Sequence, residues 1–308
     1  MAQALLIACL AGLASALLSG ILTPGNAPLL LLILLAPLPL FIAGLGWHRL
    51  IAALGGILAA LIINLVISER AAIGFAGSIA MPVFGLVVLA ERFFLREARG
   101  RASDGLDLGR LALITLFYAA LLVIASSIYV EPDHAAFMAR VRDIVGEVIT
   151  QTVSGPDIQQ GGSRDALTDA MTAMMVPLSG VIILMTLIIS GTLGLLVTAR
   201  AERLPYGKPD FRFFRLPGGA LILLGLALLM TLREGYGGAF ASIMATGLCF
   251  LLMLQGLGVV HARLAQNPAR GFLLSLVWGS LIIFGLPALL LIGLGFADHL
   301  FNFRRHVA

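Results

Sequence analysis

Hydrophobic residues along this chain come in long runs separated by short, charged connections. About nine runs, over residues 2–22, 28–46, 50–68, 71–90, 108–128, 174–197, 217–231, 239–260 and 272–296, carry almost no charge, and most approach the ~20 residues that a helix needs to cross a hydrocarbon core of ~30 Å. The pattern predicts an all-α fold, a polytopic transmembrane helical bundle of eight or nine spans. Residues 1–308 read as a single membrane domain, with five spans in 1–128 and the rest in 174–308. Pro24, Pro28, Pro37 and Pro39 shape the first turn and the second span. A short, bent helix is expected there, because proline lacks the backbone donor and kinks a helix.

Residues 129–173, between the fifth and sixth spans, are the only long polar stretch. Within it Phe137, Val141, Ile144, Val148 and Thr152 recur at steps of three and four, while Arg140, Asp143, Glu147 and Gln151 take the other side. That spacing predicts an amphipathic helix. Past the breaker run at 155–162, Ser163 is placed to cap a second one carrying Leu167, Ala170, Met171 and Met174. Two roles stay open for this segment: interfacial helices resting on lipid, or a lid over an outward-facing cavity.

Composition narrows the partners. Sixty per cent apolar residues, 12% charged ones and a mean hydropathy of +1.04 lie far from soluble norms. A net charge of +4 and a pI near 9.6 raise the question of nucleic acid, but the arginines sit in short loops between apolar runs. That is the pattern of a membrane protein's cytoplasmic loops, so the expected partner is the lipid bilayer and not nucleic acid. Arg92, Arg96, Arg99, Arg101 and Arg110 follow the fourth span, and Arg200, Arg203, Lys208, Arg212 and Arg215 follow the sixth. Both loops and the N-terminus are therefore expected on the cytoplasmic side of a bacterial inner membrane, and 129–173 outside the cytoplasm. Nine spans would leave Arg304 and Arg305 outside, against the same rule; a re-entrant segment at 217–231, the shortest run, would remove the conflict. Met1-Ala2-Gln3 lacks the basic start of a secretory signal and the first run exceeds a signal's apolar stretch, so that helix is expected to be retained.

Small residues mark helix contacts. Ala8, Gly12, Ala16 and Gly20 recur every four residues in the first span, with Ala4, Ala11, Ser15 and Ser19 widening the face. Ala52, Gly56 and Ala60 repeat the pattern in the third span, and Gly271, Ser275 and Gly279 in the last. Such faces let backbones approach closely where lipid removes the hydrophobic difference. They serve packing within the chain or, in the first span, contact with a membrane protein partner.

Candidate chemistry is sparse. Asn64, Thr115, Thr186, Ser190, Thr192, Thr246 and Gln255 are the polar groups deep in spans, and no Asp, Glu, Lys or Arg lies near a span's centre. This argues against an intrinsic proton or ion relay, which keeps ionisable groups at mid-membrane. Asn64, Glu69, Arg70, Arg233 and Glu234 fall near the predicted outer ends, where with Gln255 they are candidate contacts for a solute; the alternative is helix capping and contact with water. Walker, dinucleotide, HExxH and CxxC patterns are absent. His48, His134, His261, His299 and His306 have no spacing suited to a shared metal, and Cys9 and Cys249 lie singly in apolar runs. No catalytic residue, metal or cofactor is expected, and the chain reads as a non-enzyme.

Gln255-Gly256-Leu257, Gly293-Leu294-Gly295, Asp298, Phe303-Arg304, Pro37-Leu38-Pro39 and Pro177 together resemble the YybS-like family of bacterial integral membrane proteins. That family is distantly similar to the S-components of energy-coupling-factor transporters and to the cell-shape protein MreD. The resemblance implies an S-component-like six-helix core that binds a small solute and depends on partners for energy, with Ala8, Gly12, Ala16 and Gly20 where such a component meets its coupling subunit. The alternatives are an MreD-like scaffold for an envelope complex and an intramembrane lipid-modifying enzyme. A closed polar cavity would favour solute binding, a tightly packed interior with an exposed small-residue face would favour scaffolding, and a laterally open cavity with paired polar groups would favour the enzyme.

Alkaline phosphatase fused after Gly100 should be inactive, and fused after Asp157 active, when measured on intact bacteria. The reverse pattern would invert the orientation.

Overall fold

A computed structural model describes residues 2–20, 32–97, 106–152, 161–204 and 210–304. Pro24, Pro28, the breaker positions 155–160, Arg99, Arg101, Lys208, Arg305 and His306 lie outside the described residues, as do the side chains of Arg96, Thr152 and Ser163. The described chain is helical, with no strand. In order come α1 (Ala2–Gly20), α2 (Leu38–Gly46), α3 (Arg49–Val66) and α4 (Glu69–Phe75), which a π-helical turn at Ala76–Ala80 joins to α5 (Met81–Glu97). Then follow α6 (Leu106–Val130), α7 (His134–Thr152), α8 (Gly161–Arg200), α9 (Ala220–Met230), α10 (Tyr236–Arg263), α11 (Arg270–Phe284) and α12 (Pro287–Phe301). Six helices, Ala2–Gly20, Arg49–Val66, Glu69–Phe93, Asp107–Val130, Arg164–Arg200 and Tyr236–Arg263, are long and apolar enough to cross a membrane.

The remaining predicted spans take other forms. In the second, Pro37 and Pro39 stand at the start of α2, where proline's fixed φ and missing N–H are tolerated; a turn at 34–37 precedes α2. In the seventh, α9 runs for 11 residues, ~17 Å. The ninth is broken. Gly285, at φ +66°, ends α11, and Pro287 opens α12; glycine alone takes that φ without steric cost. His261 near the end of α10 meets Trp278 in α11 with ring centroids 6.3 Å apart. Arg263, two residues further along, donates to the Phe303 carbonyl at 3.1 Å. A straight helix over 272–296 would carry the chain ~37 Å away from α10's end, so α11 and α12 form a hairpin.

The chain divides into two compact units. One comprises Met1–Thr115, Ile183–Gly218 and Leu251–Ala308, the other Leu116–Ile182 and Gly219–Phe250; the single domain expected from the sequence has two packing centres. In the first unit the small-residue face of α1 lies on α3. A methyl on Gly12 would sit 2.5 Å from the Gly55 carbonyl oxygen, Ala8, Ala11, Ser15 and Ala16 are buried, and Ser15 donates to the Ala36 carbonyl at 2.7 Å. Gly20 is exposed. Of the two roles open to this face, the structure assigns Ala8, Gly12 and Ala16 to packing within the chain, so they offer no free surface to a partner. The opposite face, with Leu6, Leu10, Leu13 and Leu17, is bare. Gly56 continues the contact set by meeting Ala80, whereas Gly271 and Gly279 have no neighbour within 4 Å of where a Cβ would stand.

The closest helix crossing was not expected. Methyls on Gly256 of α10 and Gly295 of α12 would lie 2.0 Å and 1.9 Å from the Leu291 and Leu252 carbonyl oxygens respectively. Each helix thus presents a glycine to the other's backbone four residues along.

In the second unit, α7 pairs with the first turns of α8; Phe137 and Val141 of the predicted α7 face are half-buried, but further along α7, and on α8, the buried positions lie one residue past the predicted ones. Val145 and Ile149 are buried in α7, with Thr168, Thr172 and Val176 in α8, while Ile144, Val148, Leu167 and Met171 are exposed. The reason is a helix pair locked by polar groups. Arg164 donates to Thr150, Arg142 pairs with Asp169 at 2.8 Å, and Gly146 faces Thr168. In the same unit Tyr236 donates its hydroxyl to the Ser127 and Glu131 carbonyls.

Replacing Gly256 by alanine should lower stability by about 1–3 kcal/mol through forced separation of α10 and α12, and Gly271→Ala should leave it nearly unchanged. Thermal unfolding in one detergent compares them; equal behaviour would contradict the crossing.

Candidate functional site

The first unit holds an apolar, partly open cavity of about 340 Å3, within the range of small-molecule sites but not the closed polar cavity set out above as the mark of solute binding. Phe41 and Leu45 of α2, Leu86 and Ala90 of α5, Leu108, Leu111, Ala112 and Thr115 of α6, and Leu187, Ile188, Gly191, Thr192 and Leu195 of α8 form most of its wall. The connector before α9 adds Phe211, Arg212 and Phe214, α10 adds Leu254, Leu257, Gly258 and His261, and α11 adds Trp278. Gly191 provides space beside Phe41, whose ring tip would be 3.4 Å from an added methyl.

Polar atoms on this wall are few. The Thr115 hydroxyl is turned back to the Leu111 carbonyl at 2.7 Å, which leaves its methyl as the outward surface. His261 Nδ1 is 2.9 Å from the Leu257 carbonyl; a carbonyl only accepts, so Nδ1 carries the proton. Arg212 is held by Asp210 through Nε and Nη2 at 2.5 to 3.0 Å. That pairing raises the Arg212 pKa above the ordinary arginine value, and the group is cationic at every physiological pH. The cavity is therefore a greasy pocket with a guanidinium, an imidazole and an indole among its lining groups.

The connector is the unusual part of the wall, because residues 214–219 leave helical geometry beside buried, apolar helices. Phe214 and Leu216 are buried, so backbone groups there need partners within the chain. A buried cluster satisfies them. Gln255, Asp298 and Arg304 are 0%, 0% and 6% exposed. Arg304 donates through Nη1 to the Arg212 carbonyl at 2.7 Å and through Nη2 to that of Phe214 at 2.9 Å. Its Nη2 also bonds Asp298 at 2.6 Å, with Nε adding a longer bond at 3.3 Å. Gln255 accepts the Leu216 N–H at 3.1 Å and donates to Asp298 at 2.8 Å. Asn302, in left-handed geometry at φ +51°, turns the chain after α12 so that Arg304 folds back onto Asp298; Asn is one of few residues that tolerate that region.

The predicted solute contacts fall in different places. Arg233 and Glu234, in the second unit, are exposed and line a second cavity, of about 540 Å3, together with Phe117, Leu223, Met230 and Phe240. Asn64, Glu69 and Arg70 are exposed at the α3–α4 turn and line neither cavity; there Ser68 caps α4 by accepting the Ala71 N–H at 3.2 Å. Gln255 belongs to the buried cluster. Of the other two cluster members, Asp298 entered the sequence reading only through the resemblance, and Arg304 through the resemblance and the count of basic residues near span ends. The signal was a lone Gln in a 28-residue apolar helix, since an amide buried at 0% exposure needs partners.

Comparisons with family models, with curated proteins and with solved structures find no match for this chain.

Asp298→Ala strands the Arg304 charge in a buried setting and should cost roughly 3–5 kcal/mol. Chemical unfolding in mild detergent reads that loss, and a change below ~1 kcal/mol would place the pair in contact with solvent.

Proposed function

We propose that this chain is a non-enzymatic, multi-pass protein of the bacterial inner membrane that binds one amphiphilic small molecule in the first unit's cavity, as the S-component-like module of a transport system. The observation carrying this reading is the cavity itself: about 340 Å3, walled by aliphatic and aromatic side chains, with Arg212 and His261 the ionisable groups among its described lining. An acyl chain or isoprenoid tail matches such a wall. A polar headgroup is accommodated beside Arg212, His261 and Trp278. The scaffold alternative asked for a free small-residue face; the one on α1 is occupied by α3, whereas Gly271, Ser275 and Gly279 on α11 are open and keep that alternative as the second reading.

In the topology that goes with this reading, eight passes are followed by the α11–α12 hairpin, which re-enters without crossing. The N-terminus, the loops bearing Arg92 and Arg200, and the tail with Arg304 then share the cytoplasmic side. The hairpin removes the charge conflict that nine passes create, and it does so at the last apolar run and not at the seventh.

Reconstitution in lipid nanodiscs with a fluorescent 18-carbon polyene fatty acid tests the binding. The unsubstituted chain should bind the probe saturably. Thr192→Trp, which fills the cavity from α8, should weaken it about tenfold, equivalent to ~1.4 kcal/mol. Equal affinity in the two would overturn the site.

A further inference from the structure

The cavity wall contains a stretch that its own helices do not hold. Phe211, Arg212 and Phe214 line the cavity, yet the carbonyls of Arg212 and Phe214 are bonded to the guanidinium of Arg304, 92 and 90 residues later in the tail at the far side of a hairpin. From the connector's other side, Gln255 holds the Leu216 N–H. Gly258 of α10 lies beside the same groups: a methyl there would stand 3.4 Å from both the Arg212 carbonyl oxygen and Arg304 Nη1, in van der Waals contact with the connector.

We infer that Arg304, braced by Asp298 and Gln255, is the latch that holds the connector shut over the amphiphile site and so sets how fast a ligand enters and leaves. The inference rests on the binding reading above, and it makes Arg304 a positioning residue: it touches the wall and not the ligand. Three features support a latch over a passive buried pair. First, each acceptor of the Arg304 fork other than Asp298 is a connector carbonyl, so losing the guanidinium frees the wall specifically. Second, the arginine is attached through a short turn, Asn302–Arg304, behind α12, and can withdraw without unwinding a transmembrane helix. Third, the geometry needs a planar fork. Lysine supplies a charge but not several donors in fixed directions.

The test uses the full chain with Cys9→Ala, Cys249→Ala and Leu216→Cys, leaving one thiol at a residue 1% exposed in the native protein. Maleimide labelling should be slow in this parent and about tenfold faster with Arg304→Gln, with Arg304→Lys between them. In chains that keep Leu216, Arg304→Gln should speed release of the polyene fatty acid by a similar factor. Gln255→Met, which frees the Leu216 N–H and removes one hydrogen bond to Asp298 while keeping the ion pair, gives the same direction of change should Arg304→Gln not fold. Gly12→Ala, which loosens α1 against α3, should lower thermal stability and leave both rates alone, separating a latch from general weakening.

Unchanged labelling in both latch variants overturns the inference. So does faster labelling with unchanged probe release, which would mean that the connector moves without governing the site. Absence of probe binding in the unsubstituted chain sinks the binding reading instead, and labelling alone then decides whether Arg304 holds the connector.

Discussion

Backbone that leaves helical geometry and is buried among apolar side chains must find its hydrogen bonds within the chain, because burial removes water as a partner. The connector between α8 and α9 meets this constraint with side chains borrowed from α10 and from the C-terminal tail. One guanidinium serves two carbonyls and a carboxylate, and one amide serves an N–H and the same carboxylate. No member is left without a partner, which is what makes a buried charge tolerable at this site. The hairpin of α11 and α12 has its physical purpose here: it returns the chain to α10 so that Asp298 and Arg304 reach the connector.

Close backbone approach does for the helices what hydrogen bonds do for the connector. Between helices in lipid, apolar burial discriminates little, and contact area between backbones takes its place. Gly12 against Gly55, and Gly256 and Gly295 against each other's helices, bring main chains within reach of carbonyl oxygens. Where the wall instead carries Phe41, Phe211, Phe214 and Trp278, side chains hold helices apart and leave the cavity. Tight crossings and an open pocket thus coexist in one unit. The close Gly256–Gly295 crossing fixes Gln255 and Asp298, and through them the connector that forms part of the wall.

Much of the fold was legible in the sequence. Apolar runs at membrane length located six long helices, because a run of ~20 uncharged residues has few other stable fates. Four-residue spacing of small side chains located the α1–α3 contact, though not its partner. Periodicity failed by one residue along the later part of α7 and on α8: Thr168 faces inward against Gly146 across the helix pair, and the hydroxyls of Thr168 and Thr172 are satisfied by carbonyls one turn back in α8, an arrangement invisible to a hydrophobic pattern. Of the candidate contacts, Arg233 and Glu234 reached a cavity rim, Asn64, Glu69 and Arg70 stayed at an exposed turn, and Gln255 became structural.

The sequence by itself determined that this chain is helical and suited to lipid, since length and polarity of a segment decide its transfer from water whatever its neighbours are. Only the tertiary structure decided that the last apolar run folds back at Gly285, that Arg304 lies buried, and that the cavity is lined by residues from seven separate parts of the chain. Those outcomes depend on which distant groups meet. A buried arginine or an empty volume is a property of several segments at once, and no single segment encodes it.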